Sequence, residues 1–300
     1  MTLRAGTVAL VGRSNVGKST LLNAALELPL AIVSRTPQTT RDRLLGIVRH
    51  GDAEIGLLDT PGLHHAKTPL GRAMNRAART AAREADVLVM VVAVAKAADL
   101  APHPEDLKLL RQLPSERPIV LVINKIDRVR DKRALLPLLD AYSRAHELAA
   151  IVPISALRED GVTRMLDEVA RLLPEQGPLH EPDAITDRPM RWFAAEYVRE
   201  SILEATSQEV PHAVAVTIDA FVEEENATVI EASIHVERDG QKAILIGERG
   251  QMLKRIGTRA RHRIEELLGR QVQLELWVRV TKNWRQRPEL LADMTEGRER

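Results

Sequence analysis

The octapeptide GRSNVGKS at residues 12–19 limits what this chain can fold into more than any other feature of it. It matches G-x-x-x-x-G-K-[ST], follows the β-branched run Thr7–Val11 and leads into the apolar segment TLLNAAL. Such a loop aims successive backbone N–H groups at an anion beside a helix N-terminus. It therefore commits the chain to a strand–loop–helix unit built around phosphate. Gly12, Arg13, Ser14, Asn15, Val16, Gly17, Lys18, Ser19 and Thr20 would form its wall. Lys18 would neutralise the β- and γ-phosphate oxygens, and the Ser19 hydroxyl would reach Mg²⁺. By itself the pattern is also what a glycine-rich turn at a helix start produces.

The rest of the chain decides between the two. Through residue 173, runs of β-branched residues alternate with amphipathic stretches. Strands are expected at Thr7–Val11, Ile55–Leu58, Val87–Val94, Ile119–Ile123 and Ile151–Ile154, and helical spacing marks Leu70–Ala85, Glu105–Leu113 and Leu135–Leu148. The alternation predicts an α/β P-loop domain over residues 1–173, its mostly parallel sheet covered by helices on both faces. Ligands of such sheets gather in the loops at the strand ends. Three further segments sit there. In DTPG, the Asp59 carboxylate can hold Mg²⁺ through water, and the Gly62 N–H can sense a γ-phosphate. In NKID, Asp127 offers two acceptor oxygens to the N1–H and exocyclic amine of guanine, a pairing adenine cannot supply. Asn124 can bond the other edge of the base, and the Lys125 stem can cover its face. In SAL, a backbone N–H of Ser155, Ala156 or Leu157 can meet guanine O6. The expected ligands are GTP and GDP.

GRSNVGKST, TPQTTRDR, DTPGL, NKID and SAL together resemble the Era-type branch of the translation-related GTPases. The resemblance implies that TTRD is the first switch, with Thr40, rather than its neighbour Thr39, closing on Mg²⁺ and the γ-phosphate. It also implies that Asn15 is a ligand for K⁺ beside the phosphates. Ser19, Thr40 and Asp59 would then serve Mg²⁺, and Lys18, Thr40, Asn15 and Gly62 would carry the catalysis. Ser14 departs from the proline usual in close relatives. Leu63 stands where many GTPases place a glutamine that orients water. Leucine cannot do so, which predicts slow hydrolysis unless K⁺ or a partner completes the site. His64 and His65 follow and read as a surface loop rather than as bases.

Four prolines within residues 174–189 mark a linker. Beyond it the pattern changes to α-β-β-α-α-β over residues 190–284, from the helical Met190–Ser207 to the strand Val272–Thr281, followed by a polar tail at 285–300. Gly247-Glu248-Arg249-Gly250 joins the last two helices, Gly240–Ile246 and Gln251–Leu268. This order and loop look like an α+β type II KH domain. That resemblance implies single-stranded RNA whose backbone approaches the glycine loop, its bases lying in an aliphatic groove. Ile244, Ile246, Leu253 and Ile256 would line the groove; Lys242, Arg249, Lys254, Arg255 and Arg259 would meet phosphates. Glu248 stands where relatives often carry a basic or neutral residue. Trp277 reads as a core or sheet-face residue.

Composition sets the outer limits. No cysteine means no disulfide and no thiolate metal site. The longest apolar run, Ala85–Ala95, falls well short of a bilayer span of about 20 residues. A net charge of +1 argues at first against nucleic acid, but the sum hides its distribution. Lys242–Arg263 holds seven basic residues and one acidic, while Glu196–Asp239 holds 11 acidic and two basic. The family resemblance further implies a cytoplasmic monomer that binds 16S rRNA near its 3′ end during 30S subunit maturation, with a peripheral contact at the inner face of the membrane. Two rivals remain open: an RNA-binding assembly factor whose nucleotide is structural, and a signalling GTPase whose C-terminal domain meets protein or lipid.

Overall fold

Leu10 of β1 (Arg4–Val11) lies beside Asp59 of β3 (Ala53–Asp59), and Ala93 of β4 (Val87–Ala93) beside Asn124 of β5 (Ile119–Asn124). This register brings the loops after four strands to one edge of one sheet. β6 (Ala150–Pro153) completes the parallel set, and β2 (Leu44–His50) adds an antiparallel edge, giving the order β2-β3-β1-β4-β5-β6. Residues 3–34, 39–63, 69–94, 101–206 and 214–284 are described in this computed structural model. His64, His65, Arg35–Gln38 of the first switch and the tail 285–300 lie outside them.

The strands are apolar on both faces, as helix-covered parallel strands must be. On one face, Ala9, Val11, Met90, Val92 and Leu121 pack with residues of α2 (Pro69–Glu84), α3 (Pro104–Leu110) and α4 (Leu136–Ala145). α1 (Lys18–Leu26) and α5 (Val162–Leu172) pack together on the other. The antiparallel β2 was not among the expected strands. Its run LLGIVRH carries no turn signal that separates it from the switch before it.

The proline-rich segment is more than a connection. Its residues 174–187 belong to the first unit. Gln176 Nε2 donates to Ala5 O at 2.9 Å, Ile47 N to Ile185 O at 2.8 Å, and Arg49 to Glu181 O at 2.6 Å. Buried Glu54 accepts from Leu179 N at 2.8 Å and bonds His180 Nδ1 at 2.9 Å. The segment is a strap along the β1–β3–β2 edge.

The second unit is a three-stranded sheet, β7 (Ala215–Glu223), β8 (Thr228–Val236) and β9 (Val272–Val280), antiparallel then parallel. α6 (Met190–Ala205), α7 (Asp239–Ile246) and α8 (Gln251–Leu268) complete the expected α-β-β-α-α-β order. Its core joins Val198, Ile202, Val216, Ile234, Leu245, Ile256 and Ala260. One expectation needs correction. Ile256 is fully buried in this core rather than lining a groove, because helical spacing turns it to the side of Ala260 and Ile264. Trp284, the last residue of that expected domain, is fully buried as well. Trp277 sits on an exposed sheet face at 39 % exposure.

Candidate functional site

The phosphate loop forms because Gly17 takes a φ of 102° as α1 begins, a left-handed turn that a side chain resists. Space is missing too: a Cβ at Gly17 would collide with Asn124 Nδ2. Lys18 is buried under the loop and donates to Gly12 O at 3.2 Å and Arg13 O at 3.0 Å. Burial pushes its ammonium down to about 8, against the opposing pull of Asp59. Ser14, Asn15, Val16 and Thr20 complete the loop and first turn, with Val16 buried and Asn15 exposed at φ 62°.

Three oxygen-bearing side chains from separate loops meet beside Lys18. Asp59 Oδ2 accepts from Ser19 Oγ at 2.6 Å and Thr40 Oγ1 at 3.2 Å, and the two hydroxyls lie 3.0 Å apart. Asp59 Oδ1 is buried with no hydrogen-bond partner. Burial raises the Asp59 carboxyl, while Lys18, Ser19 and Thr40 pull it down. A buried carboxylate with one oxygen unmet, ringed by hydroxyls, is the donor set of a hard cation that keeps waters and phosphate oxygens as its other ligands. The residues fit Mg²⁺.

The DTPG turn is fastened directly to the phosphate loop. Thr60 Oγ1 donates to Leu10 O at 2.7 Å, and Leu63 N donates to Gly12 O at 3.1 Å. A Cβ on Gly62 would stand 2.6 Å from Ser14 N and Cα, so only glycine lets the two loops touch. Arg13 does something the motif did not suggest. Its guanidinium makes a bidentate pair with Asp106 of α3, at 2.6 and 3.1 Å, and so braces the loop instead of facing phosphate. The partner lies 93 residues away, so no local pattern announces it.

Asn124 also does more than the motif suggested. Its Nδ2 donates to Val16 O at 2.9 Å, and its Oδ1 accepts from Lys125 N at 2.7 Å and Ala156 N at 3.0 Å. The side chain is buried and ties the phosphate, NKID and SAL loops together; it is a strut, and these bonds use only one of the two Nδ2 hydrogens. Asp127 Oδ1 accepts from Ser155 Oγ at 2.6 Å, which aims the carboxylate and lowers its pKa. Lys125 Nζ reaches Asn15 O and lays its stem across the cleft between those loops, half-buried. In SAL, Ser155 N is taken by Asp160 O at 2.9 Å and Ala156 N by Asn124. Among these three residues the exposed Leu157 holds the N–H left for an O6 contact.

The glycine loop of the second unit is open. Gly250, at φ 78°, has nothing within 4 Å of a would-be Cβ, and Glu248 and Arg249 beside it are exposed. Gly247 is packed tightly on Met252, 2.6 Å from a would-be Cβ to its Cβ. Ile244 is 51 % exposed, with Ile246 and Leu253 partly covered. The cations divide into two groups. Arg255 donates to Ala205 O at 3.0 Å and Arg259 pairs with Glu204, so both are held by the end of α6. Among the described residues, Lys242, Arg249 and Lys254 carry no such tether.

Comparison with known proteins settles the family. Residues 7–125 match the family described as 50S ribosome-binding GTPase, and residues 209–285 match the KH domain. The GTPase Era of Syntrophus aciditrophicus (strain SB) is 46% identical over 294 residues, covering 97% of this chain and 94% of that protein. The chain belongs to the GTPase Era family. The Era of Xylella fastidiosa (strain M12) is 45% identical, over 94% of this chain and 93% of its own. Two solved Era structures superpose with a TM-score of 0.91 at 40% identity, over 97% of this chain and 98% of theirs. One is an Aquifex aeolicus Era variant bound to GDP·AlF4−; the other is an Era in complex with MgGDPNP and nucleotides 1506–1542 of 16S ribosomal RNA. An Era GTPase hydrolyses GTP to GDP and phosphate, and its two domains are the α/β P-loop and KH folds described above. Sequence reading missed Thr60, although it lies inside DTPG, and Asp106.

Proposed function

We propose that this chain is a GTP-controlled switch that binds 16S rRNA near its 3′ end through the KH unit and acts in maturation of the 30S subunit. The observation that carries the reading is the near-full-length likeness to an Era that holds MgGDPNP and 16S rRNA nucleotides at once. On this reading Mg²⁺, when bound, neutralises phosphate charge at Ser19, Thr40 and Asp59. Lys18 holds the β- and γ-oxygens, and Gly62, whose Cα packs on Ser14, offers its N–H to the γ-phosphate. Asp127, aimed by Ser155, selects guanine. Leu63 supplies no hydrogen bond to water, so the reaction is slow until another group completes the site. Asn15, exposed on the phosphate loop, would hold K⁺ in that role.

The same reading makes the protein a cytoplasmic monomer. Among the described residues no helix is long and apolar enough to cross a membrane. A peripheral contact at the inner face of the membrane rests on the family resemblance alone. The test is single-turnover hydrolysis in K⁺ against Na⁺, with and without the 1506–1542 fragment. We expect K⁺ and RNA each to raise the rate. Gly247→Asp should abolish RNA binding while leaving the rate without RNA unchanged. No turnover under any condition would favour a structural nucleotide, and full RNA binding by Gly247→Asp would remove the KH assignment.

A further inference from the structure

α2 follows the DTPG turn and carries Arg72, Arg76, Arg79 and Arg83 against a single acidic residue, Glu84. At about 100° per residue, spacings of four, three and four place all four arginines within a sector of about 60°. The buried side of the helix, Met74, Ala78, Ala81, Ala82 and Ala85, points the opposite way. All four guanidinium groups are exposed, in a row about 16 Å long. Arg117 adds a further cation at the end of the row, its guanidinium 3.5 Å from Arg83 O.

What separates this face from an ordinary solvated one is the lack of carboxylates. Elsewhere the helices pair their arginines within a turn: Arg144 with Asp140 on α4, Arg171 with Glu168 on α5, Arg261 with Glu265 on α8. Among the described residues, no carboxylate pairs with Arg72, Arg76, Arg79 or Arg83. Like charges three and four apart destabilise a helix, so the row is retained against local stability. Arginine throughout, with no lysine in the row, favours a planar, bidentate partner such as phosphate.

We infer that the arginine row of α2 is a second RNA contact, gripping the phosphate backbone of ribosomal RNA separately from the glycine loop. The inference rests on the RNA-binding reading above and deepens it. Because α2 begins just after the turn that senses the γ-phosphate, the nucleotide state would govern how this row is presented. Two modest contacts on one chain then add through effective concentration. This also gives the basic N-terminal half of the chain, with 25 basic against 20 acidic residues over 1–180, a partner.

The test uses the full-length protein bound to a non-hydrolysable GTP analogue and purified 30S subunits. Arg72→Gln/Arg76→Gln/Arg83→Gln should keep α2 helical and leave hydrolysis without RNA unchanged. It should weaken 30S binding about tenfold or more at low salt and flatten the log K against log salt slope by about 2, the loss of three phosphate contacts. Arg→Lys at the same three positions should restore the slope. With a photocrosslinking residue at position 76, the crosslink should fall on rRNA; a crosslink to ribosomal protein alone would overturn the proposal in favour of an acidic protein partner. An unchanged slope in the Gln variant, while Gly247→Asp still loses binding, sinks this inference and leaves the KH reading intact. If wild-type protein does not bind 30S at all, both fail.

Discussion

Around Lys18 the polar groups are buried and already joined to one another; around Gly250 the backbone faces open space. The nucleotide site draws Ser19, Thr40, Asp59, Asn124 and Ser155 from five segments into bonds of 2.6–3.2 Å before any ligand is considered. The glycine loop presents Glu248, Arg249 and Gly250 without such a mesh, and its tethered cations are held from α6. Both regions are proposed to bind phosphate, but they differ in what a substitution disturbs. In the first, removing one group strands its buried neighbours. In the second, Gly247 apart, it meets no such buried partners among the described residues.

The largest break in that contrast comes from Lys18→Ala. It leaves Asp59 buried without its counter-charge and removes the cation at the γ-phosphate. We expect single-turnover hydrolysis to fall by about 10³-fold or more, together with a loss of about 3 kcal/mol in the stability of the N-terminal unit. Rate and chemical denaturation are measured on the same preparation. A fall in rate with unchanged stability would show that water, not Lys18, screens Asp59.

Asn124→Ala is the next test, because it separates strut from reader. Three bonds vanish, and Val16 O, Lys125 N and Ala156 N lose their partner. We expect a stability loss of about 2–3 kcal/mol and a fall in affinity for GTP and GDP alike. A reader of the base would instead weaken guanine against other purines with little change in stability. Competition by inosine and xanthosine nucleotides distinguishes the two.

These two residues also show how far the sequence could be read. GRSNVGKS, DTPG and NKID are legible because each ligand-facing group lies within a few residues of a strand end, and strand ends are visible as apolar runs. The α-β-β-α-α-β order was legible for the same reason. What escaped depends on pairs distant in sequence. Arg13 belongs to the motif, yet its guanidinium turns to Asp106; Asn124 belongs to NKID, yet it serves Val16 and Ala156. Ile256 has the composition of a groove residue, and only the facing of α8 puts it in the core. The strap was hidden because prolines signal missing donors and say nothing of the acceptors they leave.

That strap gives a smaller effect with a defined sign. Burial raises the Glu54 carboxyl, but His180, the Leu179 N–H and Arg49 outweigh it and hold the group below its ordinary 4.5. A lowered carboxyl contributes stability that is complete above the unfolded value and disappears as pH falls through the folded one. Thermal unfolding of the N-terminal unit should therefore weaken below about pH 4.5 in wild type. Glu54→Gln should lose about 1–2 kcal/mol at pH 7 and show a flatter acid limb. Equal acid limbs in both proteins would assign the pH dependence to other carboxylates.

The smallest effect is expected at Gly250, for which Gly17 supplies the counterpart in the nucleotide site. Both glycines sit at positive φ, 102° at Gly17 and 78° at Gly250, so alanine meets a similar backbone penalty of about 1 kcal/mol at each. Their surroundings differ. The new methyl at Gly17 runs into Asn124, whereas at Gly250 it meets nothing within 4 Å. Gly17→Ala should thus disturb the strut and lose nucleotide binding, while Gly250→Ala should lose about 1 kcal/mol from the second unit and keep wild-type hydrolysis. Its RNA affinity should still fall, because the methyl occupies the space through which a nucleic-acid backbone approaches. Calorimetric unfolding, hydrolysis and fragment binding are read on the two variants side by side. If Gly250→Ala instead leaves RNA affinity unchanged, the backbone does not pass over this glycine, and the open loop serves the fold of the KH unit rather than its contact with RNA.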